Sequence, residues 1–397
     1  MAQDIDREQF EITVVGCGPA GMLAALALAN KGIKIALVGD FPNTDERTTA
    51  LMLPAINFLK ELNLWDSMLN AAAPLKKMLI IDGTYRLFRS PNICFTSDEI
   101  NEKTFGYNIA NNTLNQVLAK AITKCDKITH IPMNLNDYIF DKDAIHCVLE
   151  SKKISAKLVV AADGKNSISR NFLGIEPKVI EHKQTAVILN FEHQYAHKDT
   201  CIEIHTKHGP FTQVPLPGNN SSLIWTVSNE EVPTIQSSLI EDIENIIEKN
   251  LNYSLGKISI STQIKYWPLS SYIVNPVAKD NIILIGEAAH SFPPIGAQGL
   301  NLSIRDIIDL LKILKTHNMD KICDAYNKAR KPDVTFRVNF INALNESLIS
   351  NKVNWQLLRL AFLSTLKSAP LLKKIFMKEG MAPSSNLLEI FSVFLTR

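Results

Sequence analysis

Three glycines near the start of the chain have the spacing of a nucleotide-binding loop. Gly16, Gly18 and Gly21 fit the pattern G-x-G-x-x-G, with Pro19 and Ala20 between the last two. In such a loop the first glycine allows a tight turn, the second lets backbone amides approach a pyrophosphate, and the third lets a helix pack closely on a strand. The helix start also offers partial positive charge to the phosphates. The stretch therefore predicts a dinucleotide site.

The elements around these glycines are the ones that such a loop requires. An apolar strand containing Ile12 and Val15 precedes the loop, an alanine- and leucine-rich helix follows, and a second apolar strand spans residues 33–38. An acid at the end of the second strand would hold a ribose hydroxyl. Asp40 is the only acid near that point, and Gly39 precedes it. A glycine turn that binds no ligand is the alternative.

Two distant segments show a similar order of a buried-type strand followed by small residues. Residues 158–162 end at Asp163-Gly164, and residues 282–285 end at Gly286-Glu287. Either segment alone is consistent with an ordinary turn. Small residues after a strand also let the backbone approach a flat cofactor, and a following helix start can stabilise negative charge on it.

Composition excludes several classes of protein. The chain has 397 residues, of which 46% are hydrophobic and 21% are charged, as expected for a globular enzyme of two or three closely packed units. A formal net charge of +2 and the lack of an arginine-rich block predict no nucleic-acid partner. The six cysteines form no C-x-x-C pair, which argues against a disulfide scaffold, a zinc site or a redox dithiol.

Targeting signals are also lacking in the sequence. The first ten residues are polar and acidic, unlike a signal peptide, and no apolar run reaches the ~18 residues of a spanning helix. We therefore expect a cytoplasmic protein, and peripheral contact with the inner membrane stays open as a second expectation.

Taken together, the motifs resemble those of the single-component FAD-dependent aromatic monooxygenases, and most closely their ubiquinone-biosynthesis branch of polyprenylphenol ring hydroxylases. The stretch NIILIGEAAHSFPPIGAQGLNLSIRD, residues 281–306, is similar to the second FAD motif of that family. LVVAADGKNSISR, residues 158–170, is similar to its DG motif. DERTTALMLPAINFLKELNLW, residues 45–65, looks like its D-x-R-x-x-A-L helix, and we expect that helix to include Leu51. The resemblance covers nearly the whole chain.

The fingerprint and the resemblance together imply a set of cofactor-binding residues. These are Gly16, Gly18, Pro19, Ala20, Gly21, Asp40, Arg47, Asp163, Gly164, Gly286, Glu287, Pro294, Gly299, Leu300 and Asn301. The resemblance further places Pro294 and Gln298 beside the flavin ring as catalytic positions. Gly39 stands where the family has glutamate, so the ribose would be held by Asp40 through a one-residue shift or by water. No metal site and no phenol-activating base is predicted.

The resemblance implies an α/β fold like that of p-hydroxybenzoate hydroxylase. A Rossmann-like FAD-binding domain is interleaved with an antiparallel-sheet substrate domain and followed by C-terminal helices. The expected FAD-binding parts are residues 1–75, 105–175 and 265–335, the substrate parts are residues 76–104 and 176–264, and the C-terminal helical segment is residues 336–397.

The implied activity is hydroxylation of the aromatic ring of a polyprenylated phenol during ubiquinone synthesis. NADH or NADPH would reduce FAD, and O2 would then react at the flavin C4a to hydroxylate the ring. Two alternatives remain open. One is the same flavin chemistry on another aromatic compound, and the other is a flavin-poor, non-catalytic subunit of a quinone-biosynthesis complex.

The segment from Asn354 to Met381 is apolar and basic, with Arg359, Lys367 and Lys373 among its cations. It could lie on an anionic membrane surface or dock a partner that holds the lipid substrate, such as another protein of a quinone-biosynthesis complex. The alternative is a helix pair that closes the fold and turns its lysines to solvent.

Overall fold

A computed structural model describes residues 8–84, 89–141, 144–294, 299–350 and 353–381. The strands are, in chain order, β1 Glu8–Val15, β2 Ile35–Val38, β3 Thr48–Met52, β4 Ala72–Leu75, β5 Lys77–Asp82, β6 Ile93–Thr96, β7 Gly106–Ala110, β8 Ile128–Ile131, β9 Leu135–Phe140, β10 Ile145–Leu149, β11 Lys153–Ala161, β12 Lys178–His193, β13 Thr200–Thr206, β14 Gly209–Leu216, β15 Asn220–Ser228, β16 Ile258–Ile260, β17 Lys265–Ile273, β18 Ala278–Lys279, β19 Ile282–Leu284 and β20 His290–Ser291. The α-helices are α1 Pro19–Ala29, α2 Leu53–Glu61, α3 Asn111–Thr123, α4 Ile168–Phe172, α5 Val232–Ser237, α6 Ile240–Asn250, α7 Gly299–Thr316, α8 Ile322–Ile349, α9 Val353–Ser368 and α10 Pro370–Met381.

The first sheet has the order β18-β19-β11-β1-β2-β8, and β10 and β9 extend it from β11. The strands β19, β11, β1, β2 and β8 run parallel to one another, whereas β18 and β10 pair antiparallel with β19 and β11. The apolar strands β2 and β19 are buried along their whole length, as parallel strands covered on both faces are. Helix α1 is buried along almost its whole length because it lies between this sheet and helices α3 and α7.

The second sheet has the order β20-β17-β12-β15-β14-β13-β5-β6, with β16 paired to β12. It is antiparallel apart from the β13–β5 pair. Helices α5 and α6 cover one face, where Val187 and Leu223 of the sheet pack with Ile243 and Ile247 of α6. The other face is therefore free to meet the rest of the molecule.

A small third sheet, β3-β7-β4, follows the first βαβ unit. It corrects one prediction, since Leu51 lies in a strand and the helix begins only at Leu53. Leu51 pairs with Tyr107 of β7, a partner more than 50 residues away that local helical spacing could not reveal. Tertiary pairing overrides the local pattern at this point.

The α/β fold class is confirmed, with a parallel sheet, a largely antiparallel sheet and C-terminal helices. The chain passes between the sheets several times, and the predicted domain bounds stay a prediction. Among the described residues, the structure has no helix that combines the length and the hydrophobicity needed to cross a bilayer.

Candidate functional site

Three strand ends lie side by side at one edge of the parallel sheet. The register places Val15 beside Ala161 and Ala161 beside Leu284. Backbone hydrogen bonds continue past the strands, from Ala162 N to Val15 O at 2.7 Å and from Ile285 N to Ala161 O at 2.9 Å. The three motifs, which lie far apart in the sequence, therefore follow the carboxyl ends of the neighbouring strands β1, β11 and β19. An open α/β sheet binds its ligand at this end of its strands, and we call it the edge.

The glycines of the first motif divide into two kinds. A side-chain carbon on Gly16, which has φ +102°, would overlap the carbonyl of Ala162, and one on Gly21 would overlap the carbonyl of Gly16. These two glycines are needed for the chain to pack. A side-chain carbon on Gly18 would meet nothing within 4 Å among the described residues. Gly18 therefore faces open space, which a cofactor can fill.

Helix α1 begins at Pro19 with Gly18 as its N-cap residue. No described side chain caps the first amides of α1, and its first turn has no acidic residue. These amides and the helix dipole are therefore available to an anion. A side-chain carbon on Gly286 would lie 3.3 Å from the Cβ of Ala20, so the second motif lies against the first turn of this helix.

A buried carboxylate holds the second motif at the sheet edge. The amide of Gly286, which has φ +59°, donates to Asp306 Oδ2 at 2.9 Å, and His290 Nε2 donates to the same oxygen at 2.8 Å. Arg330 Nε donates to the other oxygen at 2.8 Å. Burial alone would raise the pKa of Asp306, but His290 and Arg330 hold that pKa below its ordinary range. The turn at Gly286 therefore rests on an ionised carboxylate.

Arg330 also forms ion pairs with two further carboxylates, those of Asp309 and Asp333. Its guanidinium is 1% exposed and donates to Asp309 and Asp333, each at 2.9 Å. Asp333 in turn accepts from Arg337 Nε at 2.9 Å. A buried guanidinium with several carboxylate partners is costly to break, because removing it leaves buried charges without compensation.

Asp163 follows β11 and organises the loop of the DG motif. Its Oδ2 accepts hydrogen bonds from Ser169 N at 2.9 Å and from Ser169 Oγ at 2.8 Å. Its Oδ1 is buried and has no hydrogen-bond partner among the described residues. A side-chain carbon on the neighbouring Gly164, which has φ +76°, would meet no described atom within 4 Å. The DG loop thus contains a buried carboxylate oxygen without a described donor and a glycine that faces open space.

Arg170 fastens the DG loop to the second motif. The residue is buried and donates to Lys165 O at 2.7 Å and to Ala288 O at 3.2 Å. Its guanidinium lies 5.6 Å from the centre of the Tyr272 ring. The DG loop and the second motif are therefore joined directly by the side chain of Arg170.

Glu287 has an exposed side chain, and its carbonyl accepts a hydrogen bond from the Tyr272 hydroxyl. Burial, and then the charge of Glu287, raises the pKa of Tyr272 to about 12, so that this hydroxyl stays a donor. Pro294 is exposed at the end of the described part of this loop. Gln298 lies outside the described residues, and its role stays a prediction.

Helix α7 begins at Gly299, the first described residue after Pro294, and Leu300 follows in its first turn. Asn301 uses its side-chain amide to hold β3, since Met52 N donates to Oδ1 at 2.9 Å and Nδ2 donates to Ala50 O at 2.8 Å. A side-chain carbon on Gly299 would meet no described atom within 4 Å. Asn301 thus positions the start of α7 beside the small third sheet.

Arg47 lies in the loop before β3. Its guanidinium makes two hydrogen bonds of 2.8 Å to the carboxylate of Asp45 and lies 4.9 Å from the centre of the Trp267 ring. Burial alone would raise the pKa of Asp45, but Arg47 and Asn111 bring it down to about 2. The hydrogen bond to Asp45 is the main cause that raises the pKa of Arg47, and the charge of Glu287 adds a smaller contribution.

The end of β2 lies next to the fingerprint. The carbonyl of Gly39, which has φ +122°, accepts from Cys17 Sγ at 3.0 Å and from His130 Nε2 at 2.9 Å. Phe41 stacks on His130 with ring centres 4.1 Å apart. Asp40 is exposed at this point. Burial of the Cys17 thiol, and then the negative charge of Asp40, raises the pKa of Cys17 to about 12. The assignment of a ribose contact to Asp40 stays a prediction.

The face of the second sheet that turns away from α6 meets the loop of Arg47. Asn190 pairs with Ser222 across β12 and β15, so both side chains lie on this face. Asn190 Nδ2 donates to Glu46 O at 2.8 Å. Ser222 Oγ and Asn190 Oδ1 are buried without a hydrogen-bond partner in the described part of the chain. We call this face of the sheet, which carries Asn190 and Ser222, the floor.

The floor continues as a small apolar cluster. It contains Leu75, Cys201 and Val214, with Ala50 and Ile224 against them. Ala50 belongs to β3, the strand that Asn301 holds. The floor and the sheet edge are therefore linked through the small third sheet, and an apolar floor with few polar groups is typical of a small-molecule site.

The histidines of the second sheet are tied to local partners. His193 Nε2 and Ser221 Oγ are 3.0 Å apart, and His205 Nε2 lies 2.9 Å from Glu203 Oε1. Across the described ranges, no group of three or more His, Cys, Asp or Glu side chains could hold a metal ion.

Sequence reasoning did not single out Ser169, Asp306 and Arg330. Asp306 ends the stretch similar to the second FAD motif, so its fixed distance from Gly286 was an available signal. Arg330 gave no signal, because a basic residue in a helix is usually solvated. Its role depends on Asp306, 24 residues away.

The glycines and the helix start at this end of the sheet fit FAD. Gly18, Gly164 and Gly299 leave open space where a side chain would intrude, and the uncapped start of α1 is suited to a pyrophosphate. Asp163 Oδ1, at the end of the neighbouring strand, is a hydrogen-bond acceptor without a described donor. When bound there, FAD supplies the redox chemistry, and the chain supplies binding and orientation.

Residues 9–340 match a protein family described as "FAD binding domain". The match spans most of the chain, so the chain belongs to this family of FAD-binding proteins and is an FAD-dependent monooxygenase. The predicted family resemblance and the predicted cofactor are therefore confirmed.

Similar proteins include ubiquinone hydroxylases. The chain is 27% identical over 388 residues to ubiquinone hydroxylase UbiL of Rhodospirillum rubrum, covering 94% of this chain and 89% of that protein. It is 26% identical to 3-demethoxyubiquinol 3-hydroxylase of Escherichia coli, covering 77% of this chain and 79% of the relative. Among solved structures, p-nitrophenol 4-monooxygenase PnpA from Pseudomonas putida has a TM-score of 0.77 at 16% identity, covering 94% of this chain and 98% of that one, and it shows the shared fold.

Proposed function

We propose that this protein hydroxylates the aromatic ring of a polyprenylated phenol in ubiquinone biosynthesis. NADH or NADPH provides two electrons, one oxygen atom of O2 enters the ring, and the other leaves as water. The observation that carries the proposal is that β3 and the loop before it contact both regions: Asn301, at the start of α7, donates to Ala50 of β3, and Asn190 of the floor donates to Glu46. The names of the two relatives support the assignment to ubiquinone synthesis.

In this proposal the chain binds the cofactor mostly with its backbone. The first amides of α1 hold the pyrophosphate, and Asp163 and Asp40 serve the sugar portions. Pro294 forms a rigid wall beside the ring system. Gln298 and the residues that begin α7 pass along the same ring, where the start of a helix stabilises negative charge.

The floor holds the substrate ring. Val214 and Ile224 keep the site dry, which prevents loss of reducing power to hydrogen peroxide. The buried oxygens of Asn190 and Ser222 are without described partners, and a buried polar atom left unpaired costs about 1–3 kcal/mol. A phenolic hydroxyl of the substrate satisfies them and so orients the ring.

The test uses purified protein reconstituted with FAD. Short-chain polyprenylphenols are incubated with NADH or NADPH under oxygen-18 gas, and the products are analysed by mass spectrometry. We expect one oxygen-18 atom in the product ring and one reduced nucleotide consumed for each ring hydroxylated. Initial rates with the two nucleotides identify the preferred reductant.

Two outcomes would reject the proposal in distinguishable ways. A yellow protein that consumes reduced nucleotide but oxygenates other phenols, and no polyprenylphenol, would move the activity to another aromatic substrate. A colourless protein that takes up no added FAD would point to the non-catalytic alternative.

A further inference from the structure

The outer faces of α9 and α10 expose apolar side chains that no described residue covers. These side chains are 42–72% exposed in helices that otherwise belong to a packed fold. They are Val353, Leu357, Leu358 and Phe362 on α9, and Leu371, Leu372 and Ile375 on α10. Exposed apolar side chains concentrated on one side of two adjacent helices are typical of an interaction site.

The inner faces of the same helices explain the stability of the pair without these residues. Leu363 and Leu366 of α9 and Met377 of α10 pack with Ile93 and Phe95 at the β6 edge of the second sheet. The outer apolar residues are therefore additional to the contacts that hold the pair in place.

The cations of the pair also divide between an inner and an outer set. Arg359 Nη2 lies 3.2 Å from Asp82 Oδ2, and Lys373 Nζ lies 2.7 Å from Glu99 Oε2, so both anchor the pair to the sheet. Lys367, Lys374 and Lys378 are exposed and form no ion pair with any described residue. The outer surface therefore combines apolar side chains with three lysines, against one acidic residue of α10, Glu379.

This combination fits the surface of an anionic lipid bilayer, which takes apolar side chains at the acyl boundary and attracts each nearby lysine. We propose that the outer face of α9 and α10 docks the protein on a membrane containing anionic lipids. The inference deepens the proposed function, because a polyprenyl tail resides in the bilayer and the pair packs on the sheet that forms the floor. Binding to lipid is nevertheless measurable without any hydroxylation.

Another exposed apolar surface in the molecule provides a matched control. Leu239 and Ile240, at the start of α6, are 68% and 48% exposed. The first turn of α6 carries Glu241 and Asp242, which an anionic membrane repels. Apolar exposure is thus shared by the two surfaces, whereas the start of α6 is acidic and the α9 and α10 pair carries an excess of lysines.

The experiment is vesicle flotation of the full chain with FAD present. Vesicles of phosphatidylglycerol and phosphatidylethanolamine are compared with vesicles of phosphatidylcholine. We expect flotation with the anionic vesicles only and its loss at high salt. The triple variant Lys367→Gln/Lys374→Gln/Lys378→Gln and the double variant Leu358→Ser/Leu371→Ser should each bind about tenfold more weakly or worse. The control Leu239→Ser/Ile240→Ser should float like the wild type.

Several results would overturn the inference. They are absence of flotation by the wild type, equal binding to phosphatidylcholine, and unchanged binding of both the lysine and the leucine variants. A wild-type dimer that Leu358→Ser/Leu371→Ser converts to a monomer, without any vesicle binding, would assign the face to a second copy of the chain. Since flotation is scored on protein, a failed hydroxylation assay leaves this result unaffected.

Discussion

The cofactor edge is formed mainly by backbone groups, whereas the floor is formed by side chains. At the edge, backbone amides and glycines of three motifs are aligned by strand register, and buried ion pairs fix their positions. On the floor, individual side chains such as Asn190 and Ser222 are brought together by pairing between strands. The edge can therefore hold a common cofactor in many related proteins, while the floor is free to differ with the substrate. Each prediction below tests whether the two regions are separable.

The largest effect is expected from the charge network behind the edge. Arg330→Met leaves the buried Asp306 and Asp333 and the partly exposed Asp309 without their shared cation. We expect a loss of about 3–5 kcal/mol in the free energy of unfolding, measured by urea denaturation.

The control for this variant is Lys312→Met. Lys312 also pairs with Asp309, at 3.1 Å, but its side chain is 70% exposed, so we expect a loss below about 1 kcal/mol. Equal losses in the two variants would contradict the role given to the buried network.

Gly18→Val should separate cofactor binding from folding. A side chain at Gly18 meets nothing within 4 Å in the described structure, so the variant should fold, but the side chain fills the approach of the pyrophosphate. We expect FAD affinity to fall about 100-fold or more, equivalent to about 2.7 kcal/mol, as measured by quenching of flavin fluorescence.

Gly380→Val is the matched control, because Gly380 also faces open space but lies in α10, away from the edge. It should bind FAD like the wild type. Full FAD retention by Gly18→Val would mean that the pyrophosphate is bound elsewhere.

Adjacent serines on β15 test the floor. Ser222→Ala removes a buried hydroxyl that has no described partner, so we expect unchanged stability and FAD binding but about tenfold lower kcat/KM for the phenol. Ser221 lies on the opposite face, where it contacts His193 and accepts from Gln213 Nε2 at 2.8 Å.

Ser221→Ala should show the reverse pattern. We expect a stability loss of about 1–3 kcal/mol and nearly normal hydroxylation at a temperature where the variant is folded. If thermal melting and steady-state kinetics show the same pattern for both serines, the floor has been placed on the wrong face.

The smallest expected effect is acid sensitivity at Asp45. Its pKa is lowered from the ordinary value of 3.8 to about 2, although burial alone would raise it, because Arg47 and Asn111 donate to it. A carboxyl whose pKa is depressed in the folded state stabilises the protein above the unfolded pKa, and this stabilisation is lost as pH falls through the folded pKa.

Asp45→Asn should therefore cost about 1 kcal/mol at neutral pH and close to nothing near pH 2, after allowance for the half-exposed Arg47. Urea unfolding at several pH values measures the difference. Asp126→Asn, at an exposed site, is the control variant. If the pH dependence of the free energy of unfolding is the same for Asp45→Asn and the wild type, Asp45 does not contribute to the acid sensitivity of the protein.

The same comparison explains what the sequence could reveal. The strand, helix and glycine pattern from Ile12 to Val38 is local, so α1 and β2 were predictable close to their observed bounds, whereas β1 begins earlier than its apolar run, at Glu8. The turn at Gly286 was predictable through its small residues and its resemblance to a known motif. In each case neighbouring residues carry the signal.

The remaining features depend on partners that are distant in the chain. Leu51 lies in a strand because it pairs with Tyr107, and Arg330 matters because it reaches Asp306. Asn190 and Ser222 become neighbours only when β12 pairs with β15. Local periodicity contains none of these pairings, which is why the floor could not be listed from the sequence while most of the edge could.

The most direct test of the central claim is an equilibrium titration of the wild-type apoprotein with FAD. The edge formed by β1, β11 and β19 predicts one FAD bound per chain, with the yellow absorbance of a flavoprotein after gel filtration. A folded protein that binds no FAD in this titration would contradict the account.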